Sequence, residues 1–172
     1  MKKAFSAFAV LLLILTAGCS KQGNLQAAPP PVSTSFTSNI KATYGGTEMT
    51  AVFTQNSAED FEIRFLTPEV LSPLSIAYKS GVCSVTYDDL SFETDLNRFP
   101  QTEMGTILTD AISDAVQGID IQTTYSEGIW TYKGTGERGV FTLTRDAETG
   151  AWLELTVDGA QLNIKFFDFK IN

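Results

Sequence analysis

Polar and apolar residues alternate in short runs from Phe36 onward, and this pattern predicts a sheet of short strands. The first three runs cover Phe36–Tyr44, Met49–Gln55 and Phe61–Leu66. Within each run nearly every second residue is apolar, so each strand has one apolar and one mostly polar face. The glycine pair at 45–46 separates the first two runs and is typical of a tight hairpin turn.

The same alternation returns in further runs after Pro68. Ser80-Gly81 and Asp158-Gly159 mark hairpin turns between neighbouring runs. We expect about nine or ten antiparallel strands in all. The later runs are Leu74–Lys79, Val82–Tyr87, Leu90–Glu93, Ile119–Tyr125, Ile129–Lys133, Gly139–Thr144, Ala151–Val157 and Gln161–Ile171.

One stretch has the period of a helix. Its apolar residues recur at i, i+3, i+4, i+7, i+8, i+11 and i+12, which forms a continuous stripe on one face. Thr102 is a candidate N-cap, and Gly118 is a candidate residue just beyond the C-terminal end. The stripe should pack on the apolar face of the sheet, which makes the fold class α+β. It consists of Met104, Ile107, Leu108, Ala111, Ile112, Ala115 and Val116.

The N-terminus has the organisation of a lipoprotein signal. Lys2 and Lys3 precede an apolar run over residues 4–15, which is too short to span a bilayer and fits a secretory signal. Leu15-Thr16-Ala17-Gly18-Cys19 resembles the lipobox of bacterial lipoproteins, which implies cleavage before Cys19 and a lipid on its thiol. The alternative is an ordinary secreted protein with a chance Cys at this point.

Three regions follow from this interpretation. Residues 1–18 are the signal peptide, and residues 19–35 are the lipidated Cys and a tether rich in Pro and Ser. Such a tether cannot bury enough apolar area to fold alone. Residues 36–172 form a single domain, which we expect to be a monomer.

Charge limits the partners of the mature chain. Removing the signal peptide takes away two lysines and no acid, so Lys plus Arg falls from 12 to 10 against 20 Asp plus Glu, a net charge of −10. An acidic surface repels nucleic acid and anionic headgroups. We therefore expect attachment to the membrane through the lipid anchor and no nucleic-acid partner.

The counts of Cys and His limit the chemistry. Of the two Cys residues one carries the lipid, and Cys83 lies in an apolar run that is typical of a buried core thiol. The chain contains no His, which excludes His-dependent Ser or Cys triads and the common zinc sites. We expect no cofactor, no metal and no enzymatic activity.

Two motifs invite functional interpretations that their context does not favour. Residues 134–139 match G-x-G-x-x-G, but a dinucleotide site needs a helix after the motif, and a strand is predicted here. We interpret the motif as a hairpin loop. Asp88, Asp89, Glu93 and Asp95 form an acidic cluster without calcium-loop spacing, which indicates a solvated turn.

In its strands and turns, the chain from Phe36 to Asn172 resembles the LolA/LolB-like family, the bacterial lipoprotein-carrier fold. The family's half-barrel, a curled antiparallel sheet over helices, is the fold that we expect here. The chain departs from the family because it lacks a helix before the first strand and carries its own lipid. The resemblance lies in Phe36-x-x-x-Ile40-x-Ala42, in Leu66-Thr67-Pro68-x-x-Leu71 with Leu74-x-Ile76-x-Tyr78, and in Gly139-x-Phe141-x-Leu143-x-x-Asp146-x-x-Thr149-Gly150 with Leu153-x-Leu155 and Leu162-x-Ile164-x-Phe166-x-x-Phe169.

The resemblance implies an apolar cavity that binds an acyl chain or another hydrophobic ligand. The first hypothesis is therefore a membrane-anchored binding module for a lipid or the acyl chain of a lipoprotein, held in the cell envelope at the outer face of the plasma membrane or at an outer membrane. Trp130, Tyr132 and Trp152 line either this cavity or the core, or else stack on sugars outside. The expected cavity wall consists of Phe53, Phe65, Ile107, Ile112, Trp130, Phe141 and Leu155.

The second hypothesis is a structural or interaction lipoprotein with a filled core. Such a protein would present a sheet face to another envelope protein and would bind no small molecule. A cavity too small for an alkyl chain would favour it. An enzyme is the third hypothesis, and the sequence offers no nucleophile–base pair in its support.

Overall fold

The computed structural model describes residue 29 and residues 31–57, 59–95 and 100–172. The predicted signal peptide and Cys19 lie outside the described residues. No helix in the described part of the chain is both long enough and apolar enough to cross a membrane.

The structure is α+β, as the sequence predicts. Eleven strands form one sheet in the described residues, one for each of the eleven runs named above; this exceeds the expected nine or ten because the short runs at both edges of the sheet also pair. The strands are β1 (Phe36–Tyr44), β2 (Thr47–Ser57), β3 (Asp60–Thr67), β4 (Leu74–Lys79), β5 (Val82–Tyr87), β6 (Leu90–Thr94), β7 (Gln122–Ser126), β8 (Ile129–Gly136), β9 (Gly139–Asp146), β10 (Trp152–Val157) and β11 (Leu162–Ile171). Two short 3₁₀ turns lie at Glu69–Leu71 and Asp158–Ala160.

The sheet consists of two meanders joined side by side. The strand order is β6-β5-β4-β3-β2-β1-β11-β10-β9-β8-β7, and every pair is antiparallel. The hairpin turns lie where Gly and small polar residues predict them; Gly45 and Gly46 have φ of +55° and +83°, which a type I′ turn requires. Strands β6 and β7 are therefore the two edges of one open sheet.

The helix α1 (Pro100–Gln117) connects these two edges across the inside of the sheet. It packs against β3 in one meander and against β8 and β9 in the other. Strands separated by six positions in the sheet order can touch one helix only if the sheet curls around it. The apolar stripe of α1 is buried as predicted except for Val116, which is 38% exposed.

The predicted start of the helix is wrong. Thr102 is not an N-cap, because α1 already begins at Pro100 and Thr102 lies buried inside the first turn. Proline is well suited to the first turn of a helix, since its missing N–H would have no partner there. The predicted end is confirmed: the N–H of Gly118 donates to the carbonyl of Asp114, and Gly118 has a φ of +67°.

The folded body extends before Phe36. Val32 packs against the core, and the backbone N–H of Asn172 donates to the carbonyl of Ser35 at 3.1 Å. The Arg145 guanidinium donates to the carbonyl of Pro31 at 3.2 Å. Residues 31–35, which composition alone assigns to the tether, thus lie on the domain because a distant arginine and the last residue hold them.

Candidate functional site on the concave face

The seven residues predicted to line a ligand cavity all lie on the inside of the curl. Strands β2, β3, β8, β9 and β10 supply five of them, and α1 supplies Ile107 and Ile112. Their exposed fractions lie between 0% and 8%. The structure thus brings the predicted set together in one continuous core, where the residues contact protein on every side: Phe53, Phe65, Ile107, Ile112, Trp130, Phe141 and Leu155.

Aromatic rings fill one half of the concave face. Phe53 lies 5.7 Å from Phe36 and 6.1 Å from Phe61, and Phe61 lies 5.6 Å from Tyr78, measured between ring centroids. Phe169 stacks on Phe36 at 4.7 Å. Such cross-strand ring pairs stabilise a sheet beyond the area that they bury, so these rings belong to the packing of β1 to β4 and β11.

The other half of the concave face contains both tryptophans, whose side chains point inward. Trp130 and Trp152 flank Arg145 in the register of β8, β9 and β10, and all three side chains are buried on the inner face. The Arg145 guanidinium lies 5.9 Å from the Trp152 ring centroid and donates to the carbonyl of Gly150 at 3.0 Å. Tyr132 meets Trp152 edge to face. These aromatics are core residues and are not an exposed sugar platform.

Helix α1 lies directly on the sheet. At Gly105 a Cβ atom would lie 2.5 Å from a ring carbon of Phe61 and 3.0 Å from a methyl carbon of Ile63. Only a residue without a side chain allows this approach. At this point no ligand can lie between the helix and β3.

Openings lie beside the helix in the described part of the chain. One has a volume of about 40 Å³ and lies between α1 and the β8–β9 turn, where it touches Ile107 and Phe141. It is far smaller than the ~150 Å³ of a cavity that holds a benzene ring. Another is an open groove of about 430 Å³ between α1 and the β2–β3 and β4–β5 turns, and Glu59, Ser80 and Asp110 make much of its lining polar.

A charged cluster holds the start of α1. The Tyr44 hydroxyl donates to Glu103 at 2.5 Å, and Arg138 in the β8–β9 turn forms an ion pair with the other oxygen of Glu103 at 2.5 Å. Burial, followed by the hydrogen bond and the negative charge of Glu103, raises the pKa of Tyr44 to about 12. The cluster joins β1, α1 and β8–β9, and its residues have a structural role.

Asp110 lies beside the smaller opening. Desolvation in the cleft raises the pKa of its carboxyl, and the charges of Asp114 and Glu137 raise it further. No group of three or more potential ligand side chains that could hold a metal ion occurs in the described ranges. Cys83 is a buried free thiol, as predicted, and burial raises its pKa.

Sequence reasoning missed the polar atoms of the core. The amide of Gln55, the hydroxyl of Tyr132 and the indole N–H of Trp152 are buried without a hydrogen-bond partner among the described residues. The alternation along β2 could have revealed the buried Gln55. This residue follows Met49, Ala51 and Phe53 at steps of two, so its side chain lies on the same inner face as theirs. Gln55 lies between Phe36 and Phe61 in the register.

Both motifs set aside on sequence grounds are turns in the structure. Residues 134–139 form the β8–β9 hairpin, with Gly136 paired to Gly139. The acidic cluster surrounds β6, with Asp88 and Asp89 in the β5–β6 turn and Glu93 on the strand.

No protein-family model and no curated protein matches the chain. Solved structures do match. An uncharacterised conserved protein from Thermus thermophilus has a TM-score of 0.55 at 12% identity, covering 83% of this chain and 81% of that one. The GerS lipoprotein, in a complex with the CwlD amidase from Clostridioides difficile, has a TM-score of 0.56 at 15% identity, covering 80% and 87%.

A LolA superfamily protein from Nitrosomonas europaea also matches, with 11% identity over 83% of this chain and 87% of that one; its TM-score of 0.40 is too low to support an argument. The Thermus thermophilus protein and GerS, which both score above 0.5, share the fold with this chain. The predicted α+β architecture, a curled antiparallel sheet packed on one long helix, is confirmed. Identities of this size show likeness of fold alone.

Proposed function

We propose that this protein is a lipid-anchored lipoprotein of the bacterial cell envelope whose domain binds another protein and performs no catalysis. The observation that carries the proposal is the burial of the seven predicted cavity residues, which are at most 8% exposed. A concave face filled by its own helix favours recognition through the outer surface and the edges of the sheet.

Two further observations support this proposal. A lipoprotein with this fold, GerS, is found in complex with a protein, the CwlD amidase. Exposed apolar side chains lie together at the β6 edge, where Leu90 is 72% exposed, Tyr87 is its register partner, and the Tyr87 hydroxyl donates to the Val70 carbonyl. Exposed apolar side chains grouped together mark interaction sites on soluble proteins.

Photo-crosslinking in living cells tests the proposal. A photoreactive amino acid replaces Leu90 at the sheet edge, Ile119 after the helix, or Phe167 on β11, one position at a time in the full-length chain. We expect a discrete protein adduct from at least one position and none from a matched buried position, Leu143. Adducts that contain lipid alone from every position would contradict the proposal.

Acyl-chain binding is the second candidate. It is favoured by the apolar character of the concave face, where Phe53, Phe65 and Leu155 would line a channel if α1 moved outward. The resemblance to lipoprotein carriers gives the same expectation. Lipid retained by the purified domain would support this candidate over protein binding.

A further inference from the structure

The apolar surface of the concave face continues beyond the cover of α1 to the open edge of the sheet. In the register of β3 to β6, Ile63, Ile76, Val85 and Phe92 form one row on this face. The first three residues are buried, whereas Phe92 is 47% exposed. The exposure of the row thus increases towards the edge strand.

A second row shows the same gradient. Leu74 on β4 is half-buried, its partner Tyr87 on β5 is 41% exposed, and Leu90 on β6 is 72% exposed. Val70 lies beside this row, because the Tyr87 hydroxyl donates to the Val70 carbonyl at 3.2 Å. We refer to Val70, Tyr87, Leu90 and Phe92 as the edge patch. A solvated sheet edge normally carries polar or charged residues.

The backbone of β6 forms the edge of the sheet beside this patch. Within the described residues β6 pairs with β5 on one side and with no strand on the other. Its sequence, Leu-Ser-Phe-Glu-Thr, contains neither the lysine nor the proline that protects many edge strands. An open edge beside an apolar face is the surface that accepts an added strand.

The charge of this region indicates which side chains a docked segment would carry. Residues 80–95 contain four acids and no basic residue. Glu93 lies on the opposite face of β6 from Leu90 and Phe92, because successive side chains of a strand point to opposite sides. A strand paired to β6 would therefore have the apolar side chains of Leu90 and Phe92 on one face and the carboxylate of Glu93 on the other.

We propose that β6 is the docking edge for an extended segment of a partner protein in which apolar side chains alternate with lysine or arginine. The apolar side chains of that segment lie on the edge patch, and its basic side chains lie on the face that carries Glu93. This proposal rests on the proposed function, since it specifies how the domain recognises a protein.

The test uses the mature lipidated protein in phosphatidylcholine nanodiscs and a fluorescent ten-residue peptide that alternates valine and lysine. We expect saturable binding, with amide hydrogen-exchange protection gained at 90–94. Replacing Leu90 with Asp should weaken binding about tenfold or more, as for the central residue of an interface. Val140→Asp, which adds the same charge at an exposed strand position, should change binding less than about twofold.

Control peptides separate strand pairing from charge attraction. A peptide that alternates valine and glutamate, and a valine–lysine peptide with alternate backbone nitrogens methylated, should both bind weakly. Equal effects of Leu90→Asp and Val140→Asp, protection outside β6, or no binding to the wild-type protein would overturn the docking proposal. If the cell crosslinks still give a protein adduct, only the edge assignment fails; if they give none, the proposed function fails as well.

Discussion

Tyr44 and Glu103 are joined by a hydrogen bond of 2.5 Å between the end of β1 and the first turn of α1. Glu103 also pairs with Arg138, so a carboxylate with two partners fixes the position at which the helix enters the curl. A negative charge in the first turn of a helix is in addition favoured by the helix dipole. This cluster is the clearest polar link between the helix and the sheet.

Replacing Tyr44 with Phe should lower the free energy of unfolding by about 1 kcal/mol at neutral pH, because the hydrogen bond to a charged group is lost at a partly exposed site. Chemical denaturation measures this difference. Tyr87→Phe is the matched control, since its hydroxyl bonds only a carbonyl on the surface, and it should have little effect.

The contribution of Tyr44 should also depend on pH. Its folded-state pKa of about 12 exceeds the ordinary value near 10. The stabilisation is therefore complete below pH ~10 and is lost as the pH rises from ~10 towards ~12. The difference in the free energy of unfolding between the wild type and Tyr44→Phe should therefore shrink between pH ~10 and pH ~12. If this difference stays constant with pH, Tyr44 has the same pKa in the folded and the unfolded protein, and the prediction is wrong.

Replacing Gly105 with Ala tests how closely α1 lies on the sheet. Helix propensity alone favours Ala by ~1 kcal/mol, but the new Cβ would lie 2.5 Å from the Phe61 ring. Overpacking of this kind costs ~1–3 kcal/mol, so we expect a net loss of stability. Ser113→Ala on the outer side of the helix is the control and should be neutral or stabilising. A stabilised Gly105→Ala would show that the helix can move off the sheet.

Replacing Gln55 with Met should stabilise the domain by about 1 kcal/mol, because an amide without a partner loses its hydration when it is buried. Met has a similar length and suits an apolar site. The exposed neighbour Asn56 provides the control substitution Asn56→Met, which should change little. A clear loss of stability on replacing Gln55 would mean that its amide has a partner in solution.

Replacing Asp110 with Asn should raise stability at neutral pH. The folded-state pKa of Asp110 is raised by desolvation and by Asp114 and Glu137, so the wild-type protein loses stability as the pH rises through the ordinary Asp range and above it. The gain in the free energy of unfolding of Asp110→Asn over the wild type should therefore be absent at low pH and should grow as the pH rises towards neutrality. Chemical denaturation at several pH values measures the trend, and a difference in the free energy of unfolding that does not change with pH would contradict the prediction.

Much of the fold follows from local patterns. Period two placed Phe53 and Phe65 on one face, and the stripe from Met104 to Ala115 predicted the packed side of α1. These predictions succeed because burial depends on periodicity within one element. Dipeptides such as Gly45-Gly46 predicted the turns, because the positive φ that a tight turn needs depends only on the residues at that position.

The rest depends on contacts between distant residues. The pattern showed which residues share the concave face but not whether a ligand or α1 covers it, since that depends on the crossing of the helix at Gly105. The docking of residues 31–35 depends on Arg145, more than 100 positions away. The exposure of Leu90 depends on the sheet ending at β6. No local pattern contains this information.

Native mass spectrometry with solvent extraction, on the domain from Pro29 onward secreted by a bacterium, tests whether the concave face holds a lipid. We expect the mass of the protein alone, unchanged after incubation with phospholipid vesicles, because α1 packs on the concave face and its apolar residues are buried. A retained fatty acid or phospholipid, released on extraction, would show instead that the concave face opens to an acyl chain.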